Sequence, residues 1–212
     1  MPQSNNNLGP YIEESQNKIY NLLFGDDLSL FLENQLPVFP LNLLNKDMSD
    51  KVQMLNVAND ITIQSRYRLI FWKELIAKGI DPVQMEVLGV VVEVGLENGL
   101  DVVAAYKDGS CRYINHTGKT IFFDSPNEES LKLTTDLITN GQAVANKIGP
   151  WDKPRREFPK SGTVRLSFLA NDGLYFGEGA FEIMYQDKMA SPVINVAISL
   201  MNHLIDRVLS KN

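Results

Sequence analysis

At 212 residues, 44% hydrophobic and 22% charged, the chain can bury on the order of 70% of its unfolded surface, and its composition excludes wholesale disorder. A net charge of -6, from 26 acidic and 20 basic residues, argues against nucleic acid as a partner, because Lys and Arg supply affinity for phosphate backbones; the one basic cluster, "KPRRE" at Lys153 to Glu157, is too short to reverse that. No apolar run approaches the roughly 18 to 20 residues of a membrane span, the N-terminus does not read as a secretory signal, and the single cysteine, Cys111, excludes an internal disulfide, so the expectation is a cytoplasmic protein with no membrane partner.

Residues 1–9 are polar and Asn-rich and are expected to be disordered. From Pro10 a helix is predicted, with Ile12, Ile19, Leu22 and Leu23 on one side and Gly25 as its stop. A short helix, "LSLFLEN", follows Asp27, and "LPVFPLN", with two prolines three residues apart, should be extended. Between Ser49 and Lys78 there is neither Gly nor Pro, which predicts one long helix or two abutting ones, ended by Gly79, Asp81 and Pro82. Residues 10–80 therefore read as a helical N-terminal segment, forming one domain with a sheet region at 81–212.

Three tight-turn signals then come at short spacing: Asn98-Gly99, Asp108-Gly109 and Thr117-Gly118. Two-residue hairpin turns there predict a four-stranded antiparallel meander over about residues 86–97, 100–107, 110–116 and 119–124. A capping box of Ser125, Pro126 and Glu128 should open a helix running to about Lys147, with Leu137, Gly141, Val144 and Ile148 inward and Gly141 allowing close approach to the sheet. "GPWDKPRREFPKSG" is a loop with three prolines. A hairpin, "TVRLSFLANDGLYFGEGAFEI", turns at Asp172-Gly173, and a last helix from Ser191-Pro192 carries a broad apolar face that includes Val193, Ala197, Leu200 and Leu204.

Hairpin turns fix register, and register fixes faces. Two-residue turns put Leu88, Val90, Val92, Val94 and Leu96 on a core face with Val103, Ala105, Ile114, Ile121 and Phe123. Arg112 is the misfit in that face, opposite Ala105. An unpaired buried charge is costly, so the expectation is a carboxylate partner, a register slip at a bulge, or a head group that reaches past the core's edge. Cys111, Tyr113, Tyr106 and Phe122 fall on the other face with Val102 and Ala104, and that face is apolar enough to contact helices or a second subunit.

Candidate chemistry is sparse. "DGSCRYINHTG" gathers Cys111, Arg112, Tyr113 and His116, but the register separates Cys111 from His116, so no thiol and base meet. Cys111 reads as a packing residue, His116 as a polar cap beside a turn, and His203 as a partly buried helix residue. Two histidines and one cysteine make a zinc site of usual composition improbable, and no cofactor is expected. The carboxylate pairs Glu13-Glu14, Asp26-Asp27 and Glu128-Glu129 sit where helices start and complement the helix dipole. "GLYFGEG" lacks the lysine of a phosphate loop; its Gly177 and Gly179 should face Phe168 and Leu166, and Glu178 should lie diagonal to Arg165 as a surface ion pair. The binding candidate is "GPWDKPRREFP": Trp151, Arg155 and Arg156 in a stiff loop are residue types that anchor interfaces.

The fold class that follows is α+β, with a single antiparallel sheet of about six strands and helices packed on it. The order helix, antiparallel strands, helix, two strands, helix over residues 60–209 resembles that of the small acidic dimeric secretion chaperones, and the resemblance implies a protein-binding role. The functional expectation is a non-enzymatic protein-interaction module that binds a protein partner or itself as a homodimer. The alternative is a small-molecule or anion-binding protein, or a weakly marked enzyme, in which Arg112, Trp151, Arg155 and Arg156 converge with Tyr113 and His116 as further lining.

Overall fold

A run of β-branched residues makes β1 (Val87–Leu96) an interior strand buried on both sides. The computed structural model describes residues 9–32, 39–44 and 50–210. Before the sheet come α1 (Glu14–Leu22), α2 (Leu28–Leu32), a 3-10 turn at Leu41–Leu43, α3 (Lys51–Asn59) and α4 (Ser65–Ala77). After β1 follow β2 (Gly99–Tyr106), β3 (Cys111–Ile114), β4 (Thr120–Phe123), α5 (Glu128–Ala145), β5 (Thr163–Ala170), β6 (Gly173–Ala180), α6 (Phe181–Gln186) and α7 (Ala190–Leu209). The strand order is β4-β3-β2-β1-β5-β6, all antiparallel, so the fold is α+β with the expected six-stranded sheet. Among the described residues no helix is long and apolar enough to cross a membrane.

Both faces of the sheet are covered by the chain itself. α5 and α7 cover one, through Leu137, Val193, Leu200 and Leu204 against Val90, Val92, Val103 and Phe168. The N-terminal helices cover the other, where Tyr20, Phe24, Phe71, Trp72 and Leu75 meet Val91, Leu100, Val102, Ala104 and Ile114. The second apolar face, expected to touch helices or a second subunit, therefore touches helices. Leu88 lies on this second side and not beside Val90, because a register shift between Val87 and Gly89 turns the strand over.

Several boundaries move for local reasons. α1 begins after Ile12, which is 90% exposed and not on its apolar side; Tyr20 is buried instead. The long Gly- and Pro-free stretch is two helices, broken at Asp60, whose side chain accepts from Thr62 N and Oγ1. α5 is capped by Asn127 and Ser130, each side chain accepting from the other's backbone N–H, two residues later than expected. The second hairpin ends at Ala180, and the residues expected to continue it form α6. The expected disorder at 1–9 lies outside the described residues except for Gly9, and so do the first three residues of "LPVFPLN", whose end is a 3-10 turn instead of extended chain.

Gly141 performs its expected role: a Cβ there would stand 2.6 Å from Val90 Cγ2 and 3.0 Å from Phe168 Cδ1. Gly141→Ala is expected to gain up to ~1 kcal/mol of helix propensity and lose ~1–3 kcal/mol to overpacking. A lower urea midpoint at unchanged slope is the expected net result.

Candidate functional site

The cluster in "DGSCRYINHTG" is dispersed by its two turns. Each is a three-residue loop, with Tyr106 N donating to Ser110 O at 3.0 Å and Asn115 N to Lys119 O at 3.0 Å, and with Gly109 and Gly118 in left-handed conformation at φ +85° and +83°. The extra residue slips β3 by one relative to the two-residue reading, so Ala105 pairs with Cys111 and Ala104 with Arg112. Arg112 therefore leaves the α5/α7 face for the other one, and Cys111 and Tyr113 take its place. The second loop restores Ile121 and Phe123 to the α5/α7 core.

Each residue of that stretch then has a local task. The Asp108 carboxylate accepts from Ser65 N at 2.6 Å, tying the turn to the start of α4. Cys111 is fully buried, and burial pushes its thiol up to about 11, so it stays protonated near neutral pH. The Arg112 guanidinium donates to Cys111 O and to Asp124 and lies 5.2 Å from the centroid of Phe122. Asp101 collects the Tyr113 hydroxyl at 3.3 Å and His116 N at 2.6 Å, and the half-exposed His116 ring lies 3.5 Å from the same carboxylate. Arg112, Tyr113 and His116 thus sit on or just after β3, while Trp151 meets β6, Arg156 meets β5 and Arg155 reaches the N-terminal helices, toward the other end of the sheet. The structure brings the last three together without the first three.

A buried ionic cluster went unforeseen. Glu93 on β1 is fully buried on the N-terminal-helix side; Tyr20 donates its hydroxyl to Glu93 Oε1 at 2.6 Å, while Oε2 lies 4.0 Å from Arg165 Nη1 and has no hydrogen bond. Arg165, 3% exposed, pairs with Glu178 at 2.6 Å directly across β5 and β6, and donates to Arg156 O and Glu157 O. The expected surface pair is therefore an interior one, straight across and not diagonal. The signal was in the sequence: Glu93 interrupts "VVVEV", and Arg165 interrupts "TVRLSF".

Burial, the largest effect, raises the Glu93 carboxyl above its usual range despite the Tyr20 hydrogen bond and the nearby Arg165. A raised folded-state value means the native protein holds its proton more tightly than the unfolded chain. This part of the stability is full below the ordinary carboxylate value of ~4.3 and is lost as pH climbs through the folded-state value. Glu93→Gln is expected to remove that decline, so melting temperature against pH should fall less steeply above ~4.3 for the variant than for wild type. Asp60 and Asp187, lowered by hydrogen bonds to Thr62 and to the Ala190 amide, slope the opposite way in both proteins and cancel in the difference.

Residues 149–160 form a strap over these groups. Trp151 N donates to Leu174 O at 2.7 Å, which pins the strap to the edge of β6, and the indole stands edge-on to Phe176 at 5.0 Å. Arg155 crosses to the N-terminal layer, where Nε reaches Asp26 Oδ2 at 3.0 Å, Nη2 reaches Asn21 Oδ1 at 2.7 Å, and the guanidinium stacks 3.8 Å from the centroid of Phe24. Arg156 turns the other way, 6.0 Å from the Phe176 centroid.

Between the strap and the N-terminal helices runs a groove with two lobes. The smaller, about 320 Å³, is lined by Phe24, Leu69, Ile76, Trp151 and Leu174 with Lys73 and Lys153; the larger, about 580 Å³, by Tyr20, Leu28, Leu30, Arg156, Glu157 and Phe158. Asp26, Lys73, Pro154 and Arg155 line both lobes, so the Arg155–Asp26 pair stands at their shared boundary. Among the described residues no group of three or more His, Cys, Asp or Glu is placed to hold a metal ion. No protein-family model, curated protein or solved structure matches the chain.

Proposed function

We propose that the chain is a non-enzymatic, cytoplasmic protein-interaction module, adaptor- or chaperone-like, that grips an extended segment of a partner in the groove under the strap. The observation that carries this reading is the groove itself. It is elongated, its walls come from two layers, its floor is apolar, and its Trp and Arg lining is the kind that anchors interfaces. A small-molecule site is less favoured, because Arg112 lies at the far end of the sheet and Arg155 is committed to Asp26 and Asn21.

The test is a pull-down from the native host read by mass spectrometry, comparing wild type with Lys73→Glu/Arg156→Glu. Both side chains are exposed groove residues, so the variant should keep its melting temperature and lose the partner. Equal capture by a folded variant overturns the reading.

Self-association has one surface in its favour. On β6 the Leu174 carbonyl is taken by the strap, whereas the outer edge from Phe176 to Ala180 carries no further backbone hydrogen bond among the described residues, and Ile183 (71% exposed) and Tyr185 lie just beyond it on α6. Light scattering should report a dimer that Ile183→Asp converts to monomer; a wild-type monomer at the highest soluble concentration removes this second reading.

A further inference from the structure

We infer that the smaller lobe of the groove takes a bulky apolar side chain from an acidic segment of the partner protein, an inference that rests on the interaction-module reading above. At about 320 Å³ the lobe is at the lower end of the volumes that hold small ligands, the right size for one large side chain, and Phe24, Leu69, Ile76, Trp151 and Leu174 give it apolar walls.

Charge selects what flanks that side chain. The ammonium groups of Lys73 and Lys153 line this lobe, and among the described residues neither meets a carboxylate. Lys73 donates to the backbone oxygen of Asp26, and Lys153 lies 5.5 Å from the Trp151 ring centroid. Of the lobe's two carboxylates, Asp26 is paired with Arg155 at 3.0 Å, and Asp172 accepts from the Tyr175 hydroxyl at 2.9 Å with its Oδ1 left unpartnered, so three cations still outnumber two acids. An arriving acid thus finds two cations with no acid of the chain paired to them. On a molecule of net charge -6 this local surplus also distinguishes acidic segments from basic ones, which the rest of the surface would attract without discrimination. The apolar anchor supplies the burial, and the acids supply orientation and choice. Neither alone uses the whole site.

The indole of Trp151 reports on this directly, since the other tryptophan, Trp72, is 4% exposed and lies on the core-facing side of α4. The probes are four blocked pentapeptides: phenylalanine between two pairs of aspartates, of serines or of lysines, and alanine between two pairs of aspartates. Fluorescence titration of the full chain should show the aspartate–phenylalanine peptide binding about tenfold more tightly than the serine one, weakening as salt is added. The signal should vanish in Trp151→Phe, and Lys73→Glu/Lys153→Glu should lose that preference at unchanged melting temperature. Equal binding of the serine or lysine peptide, or of the alanine peptide, overturns the inference while leaving the groove as a binding surface. If phenylacetate alone binds as tightly as the peptide, the occupant is a small acid and the inference falls. If none of the four peptides perturbs Trp151, both the inference and the reading beneath it fall.

Discussion

Arg165→Ala is expected to be among the most damaging single substitutions in this chain, costing ~3–5 kcal/mol. The guanidinium is 3% exposed and holds Glu178 at 2.6 Å, faces Glu93 at 4.0 Å, and donates to the carbonyls of Arg156 and Glu157. Removing it leaves Glu93 without its nearest cation and two strap carbonyls without their donor. Because a buried group that loses its partner bears the full cost of desolvation, the loss should far exceed the worth of a solvent-exposed pair, ~0–1 kcal/mol. For a chain of this length the melting temperature should drop by on the order of 10 °C. Adding Glu93→Gln to Arg165→Ala should recover part of the loss, because it removes the acid left unpaired. A loss under ~1 kcal/mol in urea would mean that the cluster is hydrated and contributes as a surface pair would.

Gly95→Ala is expected to cost about 3 kcal/mol, near the upper end for overpacking, because its Cβ meets backbone and not a movable side chain. An added Cβ would stand 2.1 Å from Lys160 O and 2.9 Å from Pro159 O, where the strap crosses β1, and Gly162 N donates to Gly95 O at 2.9 Å beside it. The strap can lie that close only because the strand is bare there. Lifting it would also draw Arg156 O and Glu157 O away from Arg165, so Gly95→Ala and Arg165→Ala should be sub-additive in a double-mutant cycle. Additive losses would show that strap and ionic cluster are energetically independent.

The sheet was legible because turn chemistry and alternation are local. Asn98-Gly99 and Asp172-Gly173 announced hairpins; the turns centre one residue earlier, on Glu97-Asn98 and Asn171-Asp172, an even shift of two that by itself moves no side chain to the other face. Asp108-Gly109 announced a hairpin as well, and Thr117-Gly118 a weaker one because Thr suits a type I′ turn poorly, but each loop has three residues instead of two, and the odd shift at the first moved Arg112 to the other face. Loop length, invisible in the dipeptide, decided the outcome.

The groove was legible only in part, since Trp151, Arg155 and Arg156 announced a surface by type. Their partners Asp26, Asn21, Phe24 and Leu174 lie far away in the chain, and no spacing rule joins them. Glu93 was hidden for the same reason: alternation placed it opposite Val92 and Val94, but what covers that face is a tertiary fact.

The Arg155–Asp26 bond spans 129 residues and has a consequence during synthesis. The N-terminal helices leave the ribosome before the groups that lock them, Arg155 and Arg165, have been translated. At about 5–20 residues per second, Asp26 waits roughly 6–25 s for Arg155 to be made. Until β1 to β3 are made Phe71, Trp72 and Leu75 have no sheet to lie against, and until the strap follows Phe24 lacks the Arg155 guanidinium that covers it, so the nascent chain carries an exposed apolar flank that the finished protein conceals. Truncated chains stalled before residue 149 should therefore be held by ribosome-associated chaperones and released once the strap has emerged.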